Sequence, residues 1–334
     1  MARIVIVSPS PPGEPTGNSV TAERWRDILR SLGHRVSMLS ELEDEAFDLL
    51  IALHATKSEA SVKRARSRPG ARIVVALTGT DLYQDLPRLR APWRSLELAD
   101  RIVLLQPLGL RELPAGLRRK AVVIRQSVRM PKEAGIRGAA GSRTRSGSGG
   151  FFNVIVLANL RRVKDPLRAA YAARCLPPES RVRVIHAGGV IEPSWEERAR
   201  AEMRRNPRYV WRGEVPIARA RRLLAGGDLL VLSSRSEGGA NVLSEAIVAG
   251  VPVLASHVPG NVGLLGRSYP GFFEIGDTQS LARLMHRAET DARFHARLRR
   301  RVIELAPLFD PDRERDAWRE ILAGLDCWGT MNSL

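Results

Sequence analysis

The sequence holds only two cysteines, Cys175 and Cys327, and no Cys-x-x-Cys pair. It therefore offers neither a disulfide framework nor a thiolate zinc site, and it suits a reducing, cytoplasmic compartment. Aromatic residues make up 5% of the chain, which disfavours a nucleic-acid surface built on stacked bases. No run reaches the roughly 18 apolar residues of a membrane-spanning helix. The apolar run at residues 3–7 stops at a proline-rich stretch, so it reads as neither a signal peptide nor a span. Lysine is scarce too, at positions 57, 63, 120, 132 and 164 only.

Hydrophobic residues reach 44% and charged residues 27%, the composition of a folded globular protein. At 334 residues the chain has room for two domains of ordinary size. Basic residues number 53 against 36 acidic ones, a net charge of +17 carried almost wholly by arginine. Such a balance suits an anionic partner: a nucleotide, a phosphate, a nucleic acid or a membrane surface. Most of the arginines are spread along the chain and read as a solvated surface. Only Arg297–Arg301 form a dense run, inside a helical pattern.

Strand-like apolar runs at 3–7, 35–39, 49–53, 73–77, 102–105 and 121–124 alternate with helical or polar connections. The first helix is expected over 20–32, with Gly33 as its C-cap signal. Residues 131–150 break the alternation, because Gly, Ser and Arg dominate there and no apolar period survives. That is the signature of a linker. The alternation then resumes, with strands at 152–158, 182–186, 209–211, 229–232 and 252–256 and helices at 166–175, 195–205, 216–225 and 241–249. Two helices close the pattern, an interrupted one over 281–305 and one over 312–325. No short internal repeat is present. The expected fold class is α/β, with two Rossmann-like doubly wound domains over 1–130 and 151–307 facing one cleft at the carboxyl ends of their strands.

Two segments have the residue types of an anion site. In Leu229–Glu245 a buried strand runs through a polar loop into Gly238 and Gly239, which open a helix. Free amides at a glycine-lined helix start attract anions, and Glu237 and Glu245 can accept from vicinal sugar hydroxyls. The same glycines would also serve tight packing alone, and Glu245 a plain surface. In Val156–Asp165 a strand enters a basic loop, where Lys164 with Arg161 or Arg162 has the chemistry of a diphosphate clamp, or of solvated loop charges. Thr78–Asp81 follows a strand and reads as a phosphate-holding loop or as a turn with an N-cap. Asp310-Pro-Asp312 spells a D-x-D string, but Asp312 looks like the N-cap of the last helix. His286 and His295 are not spaced as a metal pair.

The block from Glu237-Gly238 to Glu245-Ala246, followed by Ala249–Val253, resembles the nucleotide-sugar site of retaining GT-B glycosyltransferases of family 4. The Lys164 loop, the loop Pro12–Asn18 and the helix end Leu32–Val36 look like further elements of that family. Val75–Tyr83, Glu237–Val242 and Pro259–Gly266 point within it to the selenosugar synthases, which join a UDP-sugar to selenophosphate. The resemblance implies a GT-B fold and a cytoplasmic enzyme that needs no metal or cofactor. It implies partners in UDP-sugar, N-acetylglucosamine typically, and in selenophosphate, with other pathway enzymes nearby and neither nucleic acid nor membrane span.

The roles carried over follow the matching positions. Lys164 and Arg161 would contact the leaving diphosphate, and Glu237 the donor sugar, as the catalytic set. Gly17, Asn18, Asn159, Arg162, Gly213, Gly238, Gly239, Ala240, Asn241, Val242 and Glu245 would bind the donor, with Glu245 on the ribose and Gly213 near the uracil. His54, Thr78, Gly79, Thr80 and Asp81 would line the acceptor side. The helix over 308–334 would pack back on the first domain. This sequence departs from the family's pattern at Asn159, where an arginine is usual, and at Gly239-Ala240, where an aromatic and a glycine are usual. Charge building on the diphosphate would be met by fixed cations and the helix N-terminus. The alternatives are transfer from a UDP-sugar to an alcohol or thiol, a sugar-nucleotide sensor, and a nucleic-acid-binding protein.

Overall fold

The structure, a computed structural model, describes residues 1–10, 16–129 and 150–325. The expected linker, apart from Gly150, lies outside them, as do Pro12–Pro15 of the first loop and Cys327. The chain divides into two compact units. The first combines Met1–Ser127, Glu237–Asn241 and the stretch from Asp310; the second combines Val128–Ser236 and Val242–Phe309.

In the first unit, strands β1 (Arg3–Val7), β2 (Arg35–Leu39), β3 (Leu49–Leu53), β4 (Arg72–Leu77), β5 (Arg101–Leu104) and β6 (Ala121–Val123) form one sheet in the order 2-1-3-4-5-6. Every pairing is parallel. A parallel sheet is covered on both faces, so its strands are apolar without interruption. Successive side chains still part company. Ile4 and Ile6 enter one core with Trp25 and Trp318, while Val5 and Val7 enter the other with Val62 and Leu96.

The helix α1 (Gly17–Ser31) starts in a capping box in which Thr16 and Ser19 satisfy each other's amides. It buries Ala22, Trp25, Ile28 and Leu29 along one stripe. Helices α2 (Glu59–Arg66) and α3 (Ala91–Leu98) cover the other face, and a short turn of helix, α4 (Ala115–Arg118), precedes β6. The final helix of this unit, residues 311–323, sets Trp318 edge-on to Trp25, with ring centroids 4.8 Å apart and planes at 71°. Such a pair adds about 0.5–1.5 kcal/mol beyond the area it buries.

In the second unit, β7 (Phe152–Leu157), β8 (Val182–Ala187), β9 (Tyr209–Trp211), β10 (Leu229–Leu232), β11 (Val253–Ser256) and β12 (Phe272–Phe273) form a second parallel sheet, in the order 12-11-10-7-8-9. Its helices are α5 (Arg168–Arg174), α6 (Ser194–Arg205), α7 (Ile217–Gly226), α8 (Asn241–Ala249, which opens on a residue of the first unit), α9 (Pro259–Leu265), α10 (Thr278–Thr290) and α11 (Ala292–Leu305). The interruption expected in 281–305 falls at Asp291, which caps α11 by accepting from the amides of Arg293 and Phe294, both at 3.0 Å. The helix over 311–323 is α12. Its N-cap is Asp310, which accepts from the amide of Asp312 at 2.7 Å. The cap therefore sits two residues before the expected Asp312, because Pro311 is suited to the first helical position.

Candidate active site

The second sheet reverses its winding between β7 and β10. From β7 the chain moves outward through β8 and β9, and from β10 it moves the other way through β11 and β12. Ligands of open α/β sheets bind at such a point, outside the carboxyl ends of the strands. The loops leaving β7 and β10 are tied to each other there. The Arg235 amide donates to the Val163 carbonyl at 2.8 Å, and the Ser233 hydroxyl donates to the carbonyls of Lys164 (3.2 Å) and Asp165 (2.9 Å). The main chain of Lys164 is therefore fixed beside the β10 exit.

Asp165 locks the turn. It is buried, has φ of 45°, and holds Arg168 at 3.0 Å and Arg235 at 3.6 Å. Arg161 begins the turn, and its carbonyl accepts from the Lys164 amide at 3.0 Å. The exposed Arg162 gives its amide to Glu192 at 3.1 Å and lines a cavity of about 390 Å³ with Arg168, Trp195, Arg198 and Arg235; Lys164 does not line it. The arrangement thus separates the two arginines that the sequence left as alternatives.

Asn159 serves its own loop, its Oδ1 accepting from the Gly189 amide at 3.0 Å. Gly188 is obligatory, since a β-carbon on it would lie 1.9 Å from the Ala158 carbonyl oxygen. His186 donates from Nε2 to that same carbonyl at 2.8 Å and accepts on Nδ1 from the Tyr209 hydroxyl at 2.8 Å. Burial pushes its pKa down to about 4, so the ring is neutral. Gly213, at φ of 67°, accepts from the Gly188 amide at 2.9 Å. Glu245, one turn into α8, is held by Arg221 at 2.9 Å, and Val242 is half-buried in the first turn.

In the first unit, Glu237–Asn241 packs by backbone. A β-carbon on Gly238 would meet the Thr78 carbonyl at 2.5 Å, and one on Gly239 would meet Leu105 at 2.6 Å. Glu237 and Ala240 are buried. Asn241 accepts from Arg24 at 3.0 Å and donates to the Gly17 carbonyl at 3.3 Å. Gly17 and Asn18 are the first two residues of α1.

The loop after β4 is organised by Asp81, which is fully buried. Its Oδ1 accepts from the amides of Thr78 (2.9 Å), Gly79 (2.8 Å) and Leu82 (3.0 Å), and its Oδ2 from Ala55 (2.9 Å). His54, at φ of 72°, accepts on Nδ1 from the Lys57 amide at 3.3 Å, so Nε2 carries the proton and donates to Thr80 at 3.0 Å. The expectation that the Thr78 and Gly79 amides hold an acceptor phosphate is therefore corrected. Those amides already donate to the buried Asp81 side chain.

Sequence reasoning missed Asp165, Ser233, Arg235, Gly188 and Arg24. Ser233-Ser234-Arg235, directly after an apolar strand, and the Gly188-Gly189 pair were the available signals. Among the described residues no group of three or more His, Cys, Asp or Glu side chains comes together, and no helix is long and apolar enough to cross a membrane.

Residues 145–306 match the family model described as Glycosyl transferases group 1. The chain is a glycosyltransferase of the GT-B fold. A curated relative, Glycosyltransferase 1 domain-containing protein 1 of Xenopus tropicalis, is 25% identical over 342 residues, covering 95% of this chain and 96% of the relative. Among solved structures, Anabaena Alr3699/HepE in complex with UDP and glucose superposes with a TM-score of 0.74 at 16% identity, covering 97% of this chain and all of that one. Sucrose-phosphate synthase of Thermosynechococcus elongatus gives 0.74 at 14% identity, covering 98% of this chain and 100% of the other.

These findings bear out the two-domain GT-B fold and the enzyme class. They overturn the finer resemblance. The matching model is the group 1 description rather than a family 4 selenosugar synthase, and the relatives named do not include one. Formation of a carbon–selenium bond on selenophosphate gives way to the alternative, sugar transfer to an ordinary acceptor.

Proposed function

We propose that this glycosyltransferase moves a sugar from a UDP-sugar to a hydroxyl-bearing acceptor. The observation that carries the reading is the hydrogen-bonded pairing of the Lys164 loop with the β10 exit at the switch point of the second sheet. The loop from β10 leads into α8, whose first-turn amides and positive dipole end suit an anion. Lys164 and Arg161 add cations for the diphosphate, Glu245 accepts from the ribose, Glu237 accepts from the donor sugar, and Gly213 leaves room near the base. The UDP and glucose held by the Anabaena protein support the same donor class.

Chemistry then rests on stabilising the departing diphosphate as the anomeric bond breaks, with fixed charges in place from the start. Both ring nitrogens of His54 are engaged, with Lys57 and Thr80. The acceptor proton leaves with the departing diphosphate, whose oxygens can take it. The acceptor-side residues Thr78 and Thr80 offer hydroxyls suited to a neutral polyol.

Titration calorimetry with UDP, and UDP release from UDP-glucose and UDP-N-acetylglucosamine, test the reading. Uptake of UDP by the wild type and its weakening by Glu245→Ala are expected. No heat with UDP would overturn it.

A further inference from the structure

Among residues 238–241, only Asn241 has a polar side chain. Within the first unit the glycine segment is held through main-chain packing, which excludes wrong shapes but offers few directional bonds. Its polar fastening comes from α1. The Arg24 guanidinium spreads three ways. Nε donates to both oxygens of Glu314 on α12 (3.2 and 3.1 Å), Nη1 donates to the Asn241 side chain (3.0 Å), and Nη2 reaches the Gln126 amide oxygen (3.2 Å) once that amide faces the way that satisfies both of its ends. In that orientation the Gln126 nitrogen donates to the Gly239 carbonyl at 2.6 Å.

Glu314 is itself anchored. Its side chain is fully buried, and it accepts from the Trp25 indole at 2.8 Å and from the Ser127 amide at 2.8 Å as well as from Arg24. A fully buried carboxyl group held by this many donors is fixed in place. Arg24 therefore links α12 to the glycine segment, directly at the Asn241 side chain and through Gln126 at the Gly239 carbonyl.

We propose that Arg24 is a positioning residue for the donor sugar: it sets the register of Gly238–Asn241 without touching the reacting atoms. The inference rests on the donor-site reading above. A planar fork is needed to serve Glu314, Asn241 and Gln126 at once, which a lysine ammonium cannot reproduce. Misplacement of a binding loop by about 1 Å costs on the order of 100-fold in rate.

The test measures UDP release from UDP-glucose, UDP affinity by calorimetry, and thermal melting for wild type, Arg24→Gln, Arg24→Lys, Asn241→Ala and the double variant Arg24→Gln with Glu314→Gln. The expected result is a drop in kcat of roughly 10- to 100-fold in Arg24→Gln and Asn241→Ala, with KM for the donor and the affinity for UDP nearly unchanged. Arg24→Lys should rescue melting more than turnover. The double variant removes both partners of the ion pair, so its melting recovers while its kcat stays low. Recovery of kcat together with melting would reduce Arg24 to a purely structural group and overturn the proposal, as would wild-type kcat in Asn241→Ala. Failure of the wild type to bind UDP would sink the donor-site reading instead, a result separate from either.

Discussion

Gly79 and Gly238 meet backbone to backbone. A β-carbon on Gly79 would stand 2.9 Å from the Gly238 nitrogen, and one on Gly238 would stand 2.6 Å from the Gly79 α-carbon. Neither residue can gain a methyl group without moving the other's main chain. Gly238→Ala should destabilise the first unit by about 1–3 kcal/mol and depress UDP release more than Gly226→Ala, where nothing lies within 4 Å of the added carbon. Parallel melting curves and rates for the two variants check this.

Lys164 is expected to act on the leaving group rather than on folding. Lys164→Ala should lower kcat by about 10²–10³-fold in a variant that still gives a cooperative melting curve. A wild-type rate in a folded variant would remove the assignment.

Asp165 combines a left-handed backbone with a buried ion pair to Arg168. Asp165→Ala leaves Arg168 uncompensated and should cost about 3–5 kcal/mol. Asp165→Asn should cost less, since asparagine tolerates this conformation and keeps an acceptor. Chemical denaturation of both variants gives the difference directly.

His186 makes stability depend on pH. Its pKa is depressed by burial from an ordinary value near 6.5 to about 4 in the folded state. Between those values the unfolded chain binds a proton that the folded chain refuses, so stability is intact above pH 6.5 and is lost as pH falls towards 4. Between pH 7 and pH 5 the loss from this group is about 2 kcal/mol. Melting followed across that window should show it, and His186→Gln should flatten the slope.

Much of the fold was legible because buried parallel strands leave unbroken apolar runs. Arg3–Val7, Leu49–Leu53 and Leu229–Leu232 begin and end where the pattern does. Helix α2 was not legible, because only Ser61, Val62 and Ala65 of its eight residues are buried and no apolar stripe forms. The strand-end loops could be found, since glycine and charge follow an apolar run. Which partners those loops take could not. Asp81 reads as an acceptor-side group in sequence, whereas its oxygens are filled by amides from two separate loops. Arg24 carried no signal at all, since its meaning depends on Glu314, far along the chain.

The Trp25–Trp318 contact has a consequence for biosynthesis. The sheet of the first unit is complete by Val123, yet the face that α1 covers lacks the rest of its cover until residues 311–323 emerge from the ribosome. During that interval an oily surface waits in the nascent polypeptide while the whole second sheet is being made. Truncation or a premature stop upstream of Trp318 should therefore cripple the part translated earliest, leaving it prey to chaperones and proteases.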